Sequence, residues 1–202
     1  MIRAFLAVEI SEDLRTRLSQ LQQELKQRFS REVYKDARIS WIQPSSIHLT
    51  VKFLGDVDEQ VVEPLREAIT ARVQSHSAIQ IPIERFGAFP HIQQPRVLWV
   101  GPSGQWEQGE DAKRLAAFHQ EVESCCGSCG LVPDGRSLSP HLTLARIKEG
   151  ERQVGQALVK CGVLDRPLSL ELSVRSVVLM RSELRPTGSV YTKLWEVLVS
   201  NR

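Results

Sequence analysis

The tripeptide His-Leu-Thr occurs twice in this 202-residue chain, each time where a strand is predicted to begin. The two copies are Ile47-His48-Leu49-Thr50-Val51 and Pro140-His141-Leu142-Thr143-Leu144. Because side chains alternate across a strand, the histidine and threonine of each copy share one face, and the leucine between them packs on the other. Because the same pair of polar side chains, a histidine and a threonine, occurs on two predicted strands, the chain is expected to fold into two similar lobes.

The elements around these motifs favour an α+β fold. Amphipathic helices and short alternating strands follow one another in the order β-α-β-β-α-β-β, then α-β-α-β-β. The regular βα alternation of a doubly wound sheet is absent, which favours antiparallel or mixed sheets with helices on their outer faces. No Pro/Gly/Ser-rich linker divides the chain, so residues 1–202 are predicted to form a single domain of two pseudo-symmetric lobes.

Alternation also assigns faces to the first motif strand. Its apolar and polar faces are predicted to be formed by Ile47, Leu49, Val51 and Phe53 and by His48, Thr50 and Lys52, respectively. Farther along the chain, residues 168–180 are predicted to form one long strand or a pair of strands.

Composition limits the partners and the compartment. With 26 Lys and Arg against 24 Asp and Glu, the formal charge of +2 cannot hold a long polyanion by bulk field, so any nucleic-acid contact must be local. No apolar run reaches the ~18 residues of a membrane span, and Glu9 interrupts the N-terminus too early for a signal peptide. We therefore expect a cytoplasmic protein with no membrane partner. Its four cysteines, three of them within residues 125–129, are expected to be free thiols.

The residue types of the motifs are suited to phosphate chemistry. Imidazole titrates near pH 6.5, so two histidines in one cleft can act as general acid and general base at physiological pH. A threonine hydroxyl beside each can donate to a phosphoryl oxygen. A zinc site is the other functional interpretation of two histidines, but no carboxylate or thiolate near them in sequence would supply a third ligand. No metal and no cofactor are therefore expected.

At these residues the chain resembles the two-histidine (2H) phosphoesterase superfamily, and within it the bacterial and archaeal RNA 2′,3′-cyclic phosphodiesterases, also called 2′-5′ RNA ligases. The resemblance runs over nearly the whole chain. Besides the two motifs, it includes Arg3-Ala4-Phe5-Leu6-Ala7-Val8, Lys52-Phe53-Leu54-Gly55, Gly87-Ala88-Phe89-Pro90, Pro95-Arg96-Val97-Leu98-Trp99-Val100-Gly101 and the extension of the second motif to Ala145-Arg146.

The resemblance implies two antiparallel sheets that face each other across a central cleft. It places His48 and His141 in the cleft as acid and base, with Thr50 and Thr143 holding the phosphate. It further implies that Arg146 contacts the phosphate. Phe5 is expected to line the base-binding side. One departure is Leu138, at a position where members of the family often carry an aromatic residue.

The function implied is metal-independent hydrolysis of a terminal 2′,3′-cyclic phosphate on RNA to a 2′-phosphate. The partners would be RNA ends or oligonucleotides with that group, and a monomer is expected. Two alternatives stay open at this point. One is 2′-5′ RNA ligation by the same groups, and the other is a nucleotide or RNA-end binding module that catalyses nothing.

Overall fold

A computed structural model describes residues 1–29, 31–185 and 188–200 of the chain. Its strands are β1 (Ile2–Glu9), β2 (Arg38–Trp41), β3 (His48–Val57), β4 (Ile79–Ile83), β5 (Arg85–Phe89), β6 (Val97–Gly101), β7 (Leu142–Glu149), β8 (Leu170–Val174), β9 (Ser176–Arg185) and β10 (Gly188–Leu198). Its helices are α1 (Glu12–Arg28), α2 (Arg31–Asp36), α3 (Val62–Val73), α4 (Glu110–Ser128) and α5 (Glu151–Lys160).

The strands form two antiparallel groups that meet at one residue pair. The order β10-β9-β1-β3-β7-β6-β5 is continuous, and β2 also pairs with β7. Between β3 and β7, however, Leu49 and Leu142 are the one pair in register. The strands β10, β9, β1 and β3 therefore form one four-stranded sheet and β2, β7, β6 and β5 form the other, and the Leu49–Leu142 pair joins the two into a continuous eight-stranded sheet. The predicted α+β architecture with two antiparallel sheets is confirmed.

Helices cover the face of the sheets that carries Leu49 and Leu142. Helix α1 begins at the N-cap Ser11, whose side chain accepts a hydrogen bond from the Leu14 amide at 3.2 Å. Its leucines recur at helical spacing and are buried in the same core as Leu49 and Leu142. The opposite face of the two sheets is thus left to line a cleft.

Two elements differ from the sequence-based expectation. Strand β5 was not predicted, because Gly87 and Ala88 at its centre have low strand propensity. Gly87 is needed there, since a Cβ atom would lie 2.1 Å from the indole of Trp99 on the paired strand β6. The short helix α2 was also missed, as six residues are too few to show a period.

The stretch 168–180 is a pair of strands that belong to different sheets. Strand β8 pairs with β4 in a separate two-stranded sheet, whereas β9 pairs with β1. The chain changes sheet at Arg175. This confirms the second of the two alternatives predicted for this stretch.

Candidate active site

The two His-Leu-Thr motifs lie side by side at the junction of the sheets. Because Leu49 pairs with Leu142 in antiparallel register, His48 lies across from Thr143, and Thr50 lies across from His141. All four polar side chains line one cleft of about 540 Å³. The leucines between them are buried on the other face. The structure thus brings together the four residues singled out from the repeat.

Both histidines are held in the same way by the backbone before them. Nδ1 of His48 lies 2.8 Å from the carbonyl oxygen of Ser46, and Nδ1 of His141 lies 2.8 Å from that of Ser139. A carbonyl oxygen can only accept a hydrogen bond, so Nδ1 carries the proton in each ring. Nε2 is therefore the nitrogen left for proton transfer.

The surroundings lower the pKa of both histidines. Burial is the largest cause, because it disfavours the charged imidazolium. The positive charge of Arg146 acts in the same direction on both rings, and the contacts with Ser46 and Ser139 oppose it. Because both pKa values lie below the usual 6.5, both rings are neutral at pH 7 in the free protein.

A β-bulge turns Arg146 toward the cleft. Thr143 pairs with Trp99 and Ala145 pairs with Leu98, so Leu144 is an extra residue in β7. Strict alternation would place Arg146 on the face away from His141, but the extra residue reverses the faces beyond it. Arg146 consequently lines the same cleft as both motifs.

The backbone of this bulge is hydrogen-bonded from outside the strand pair. The carbonyl oxygen of Leu144 accepts from the backbone amide of Ile42 at 2.9 Å. It also accepts from Nε2 of Gln22 at 2.8 Å, and Gln22 is a fully buried residue of helix α1. An unpaired bulge carbonyl is thereby satisfied, which stabilises the strand geometry that orients Arg146.

Strand β3 has a bulge at the matching position, and it overturns the predicted faces of that strand. Ala7 pairs with Thr50 and Leu6 pairs with Lys52, so Val51 is the extra residue. Beyond it, Lys52 is buried and Phe53 is 63% exposed. The assignment of Lys52 to the polar face and Phe53 to the apolar face was wrong, because simple alternation ends at a bulge. Phe53 occupies the place in β3 that Arg146 occupies in β7, and it lines the cleft.

Buried Lys52 is fully paired beneath the site. Its Nζ lies 2.7 and 2.8 Å from the two carboxylate oxygens of Glu123 on α4, and 3.0 Å from the carbonyl oxygen of Val132. Glu123 also accepts from the backbone amide of Asp134 at 3.3 Å. The pair therefore connects β3 to the segment that leads from α4 to His141.

Aromatic side chains flank each histidine. The ring of His48 lies 4.8 Å from Phe5 and 5.3 Å from Tyr191, measured between ring centroids. The ring of His141 lies 5.0 Å from Phe89 and 6.2 Å from Trp99. Phe89 and Trp99 therefore provide aromatic rings next to His141, although Leu138 stands where relatives often carry an aromatic residue.

Phe5 lines the cleft, but it is 4% exposed and packs mainly as part of the cleft floor. The more accessible aromatic surface comes from Phe53 and Tyr191. Neither of these two was singled out as a site residue from the sequence. The bulge that exposes Phe53 has no clear signal in one sequence, and Tyr191 reaches the site through strand pairing distant along the chain.

The cleft is positively charged. Arg3, Arg146 and Lys148 line it, whereas none of the described residues that line it is acidic. Such a surface attracts phosphate groups.

The other histidines and the cysteines that could carry chemistry lie outside the cleft. Nε2 of His76 lies 2.9 Å from a carboxylate oxygen of Glu121. The four cysteines are free thiols, as predicted. Within the described residues, no cluster of three His, Cys, Asp or Glu side chains is arranged to hold a metal ion. No helix of the described chain is long and apolar enough to cross a membrane.

Comparison with known proteins identifies similar sequences and folds. The family described as the 2′-5′ RNA ligase superfamily matches residues 41–186, a range that contains both motifs. The RNA 2′,3′-cyclic phosphodiesterase of Methanothermobacter thermautotrophicus is 30% identical over 193 residues, 96% of each chain. The Aeropyrum pernix protein of the same name is 34% identical over 159 residues, 77% of this chain and 84% of that one. E. coli LigT complexed with 3′-AMP has the same fold, with a TM-score of 0.72, 20% identity and 98% of both chains covered.

Proposed function

Since this chain belongs to the 2′-5′ RNA ligase superfamily, we propose that it hydrolyses the 2′,3′-cyclic phosphate at the end of an RNA strand. The curated relatives named RNA 2′,3′-cyclic phosphodiesterase support this class of enzyme, and they cover nearly the whole chain. The observation that carries the proposal is the antiparallel pairing of the two motifs, because it sets two identically held imidazoles and two hydroxyls around one positively charged cleft.

The proposed reaction is an in-line displacement at phosphorus. A water oxygen attacks the phosphorus, and Nε2 of His141 accepts the proton that the water loses. The bond from phosphorus to the 3′-oxygen breaks, and Nε2 of His48 donates a proton to that oxygen. The phosphate stays on the 2′-oxygen. The positions of His48 and His141 at opposite corners of the paired motifs support this division into acid and base.

The remaining site residues would stabilise charge. The hydroxyls of Thr50 and Thr143 donate to the non-bridging oxygens, and Arg146 pairs with the negative charge that develops there. Phe5 forms the floor on the base-binding side. The bound phosphate also favours the imidazolium form of His48, which its surroundings disfavour in the free protein. These groups account for acid, base and charge stabilisation, so the proposed mechanism needs no metal.

Product analysis tests this function. Adenosine 2′,3′-cyclic phosphate at the end of a short oligonucleotide is expected to be converted to a 2′-phosphate, with an equal rate in EDTA. Phosphorus NMR distinguishes this product from a 3′-phosphate. A 3′-phosphate or a mixture would contradict the assigned roles, and no turnover with tight binding would favour a binding module. Loss of activity in EDTA with recovery on adding zinc or manganese would replace the mechanism with metal-activated water.

Each threonine is expected to contribute to the chemical step. Thr50→Val and Thr143→Val remove a hydroxyl donor with little change in shape, so each should cost about 1–3 kcal/mol of transition-state stabilisation. The measurement is kcat and KM for both variants, and kcat should carry most of the loss. Thr192→Val, on an exposed part of β10 outside the cleft, is the matched control. Unchanged kinetics in both site variants would show that the threonines only favour the strand.

Arg146 is expected to set the pH of maximal activity. The profile of kcat/KM should be bell-shaped, with its maximum below pH 6.5, because it lies between two histidine pKa values that are both lowered. Arg146→Gln removes a positive charge that lowers both pKa values, so the maximum should move to higher pH while the rate falls. Steady-state kinetics across pH measures both effects. A slower variant with an unmoved maximum would contradict the electrostatic part of this role.

A further inference from the structure

A row of side chains extends from His48 along the face of β1 and β3 that lines the cleft. Phe5 follows His48 at 4.8 Å between ring centroids, and Phe53, the residue paired with Phe5 across the two strands, lies beside it at 6.2 Å. Arg3 lies two residues from Phe5 on the same face of β1, about 7 Å farther along the strand. Phe5, Phe53 and Arg3 all line the cleft. The order along this row is a phosphate-chemistry site, an aromatic surface and a cation.

The guanidinium of Arg3 is available to a ligand. Arg3 is exposed, and it forms no ion pair with any described residue. This includes Asp56, the residue opposite Arg3 in the register of β1 and β3. A cation in a cleft that no described carboxylate lines is suited to bind a second anion.

The order of this row matches the chemistry of a strand end. In an RNA terminated by a cyclic phosphate, the last ribose carries the reacting phosphate on its 2′ and 3′ oxygens and the preceding phosphate on its 5′ oxygen. The base projects from the ribose between the two phosphates. Phosphate, nucleoside and phosphate thus correspond to the motif histidines, the aromatic surface and Arg3. Bases stack on aromatic side chains whatever their sequence.

We propose that Arg3 forms a subsite for the phosphate that precedes the terminal nucleotide, so that the strand leaves the cleft over Phe53 and past Arg3. This inference rests on the proposed function. It makes the preferred substrate an RNA end with an upstream phosphate, not an isolated nucleoside 2′,3′-cyclic phosphate.

The other end of the cleft lacks this order. Lys148 lies two residues beyond Arg146 on β7, and the cleft residues on the neighbouring segment there are Ile42, Ser46 and Ile47. The cleft has a cation at that end but no aromatic ring among those residues. Phe89 and Trp99 flank His141 but do not line the cleft, whereas Phe53 lines it and is 63% exposed, so the observations favour the Arg3 end.

Two substrates that differ by one phosphate test the subsite. The probes are adenosine 2′,3′-cyclic phosphate and the same compound with a 5′-phosphate. The wild-type protein is expected to have a higher kcat/KM for the 5′-phosphorylated compound, and raised salt should reduce this preference. Arg3→Gln should reduce the ratio of the two kcat/KM values about tenfold, the size of one charge-assisted hydrogen bond. Arg3→Lys, which keeps the charge, should recover part of the ratio.

Two matched variants locate the effect. Lys148→Gln removes the same charge at the other end of the cleft, and Arg17→Gln removes it on the exposed face of α1. Neither is expected to change the ratio. A salt-independent ratio near one in the wild type, or an unchanged ratio in Arg3→Gln, would overturn the subsite. A ratio lowered by Lys148→Gln alone would overturn the direction of the strand. If the wild type cleaves neither compound nor an oligonucleotide end, the proposed function itself fails, and the subsite with it.

Discussion

Replacement of His48 or His141 by alanine is expected to lower kcat by at least about 100-fold in each case, because each variant loses a general acid or a general base. The fold should be retained. Both side chains line the cleft, so truncation widens the cleft and leaves the helical core behind Leu49 and Leu142 intact. The measurement is turnover of a cyclic-phosphate RNA end together with circular dichroism of each variant.

The pH profiles of these variants assign the two roles. Loss of the general acid removes the alkaline limb of the bell, and loss of the general base removes the acidic limb. We expect His48→Ala to lose the alkaline limb and His141→Ala to lose the acidic one. His91→Ala, in the exposed loop between β5 and β6, is the matched control and should keep both. Near-normal turnover in either site variant would exclude that histidine from the mechanism, and exchanged limbs would reverse the assignment.

The positions of the two motifs were predictable from the sequence because two simple rules suffice. Alternation places His48 and Thr50 on one strand face, and likewise His141 and Thr143. The repeat of the motif at two strand starts predicts two similar strands that carry these pairs. Both rules depend on neighbours within three residues. The direct pairing of Leu49 with Leu142 adds a long-range contact that these rules do not give.

The rest of the cleft depends on features that local patterns do not contain. The bulges at Val51 and Leu144 reverse the strand faces, which buries Lys52 and brings Phe53 into the cleft. An extra residue is favoured by what lies outside the strand, such as the Gln22 amide that binds the Leu144 carbonyl. Alternation alone therefore fails at Lys52, where a tertiary partner decides the face.

The free energy of unfolding is expected to depend strongly on the buried pair of Lys52 and Glu123. Glu123→Gln removes the negative charge beside an ammonium group whose side chain is 1% exposed. An uncompensated buried charge costs about 3–5 kcal/mol, so the variant should unfold at much lower urea concentration. Glu121→Gln on the same helix, whose partner His76 and own side chain are nearer to solvent, should cost less than about 1 kcal/mol.

A double-mutant cycle separates the interaction energy between Lys52 and Glu123 from the contribution that each side chain makes on its own. Lys52→Met alone leaves Glu123 with the Asp134 amide and with some access to solvent, so its cost should be smaller than that of Glu123→Gln. In the double variant the buried ammonium is absent, and the loss should be less than the sum of the two single losses. Strictly additive losses in urea denaturation would contradict a direct interaction. A Glu123→Gln variant as stable as wild type would mean that the Val132 carbonyl and the remaining amide oxygen hold the Lys52 ammonium well enough without a counter-charge.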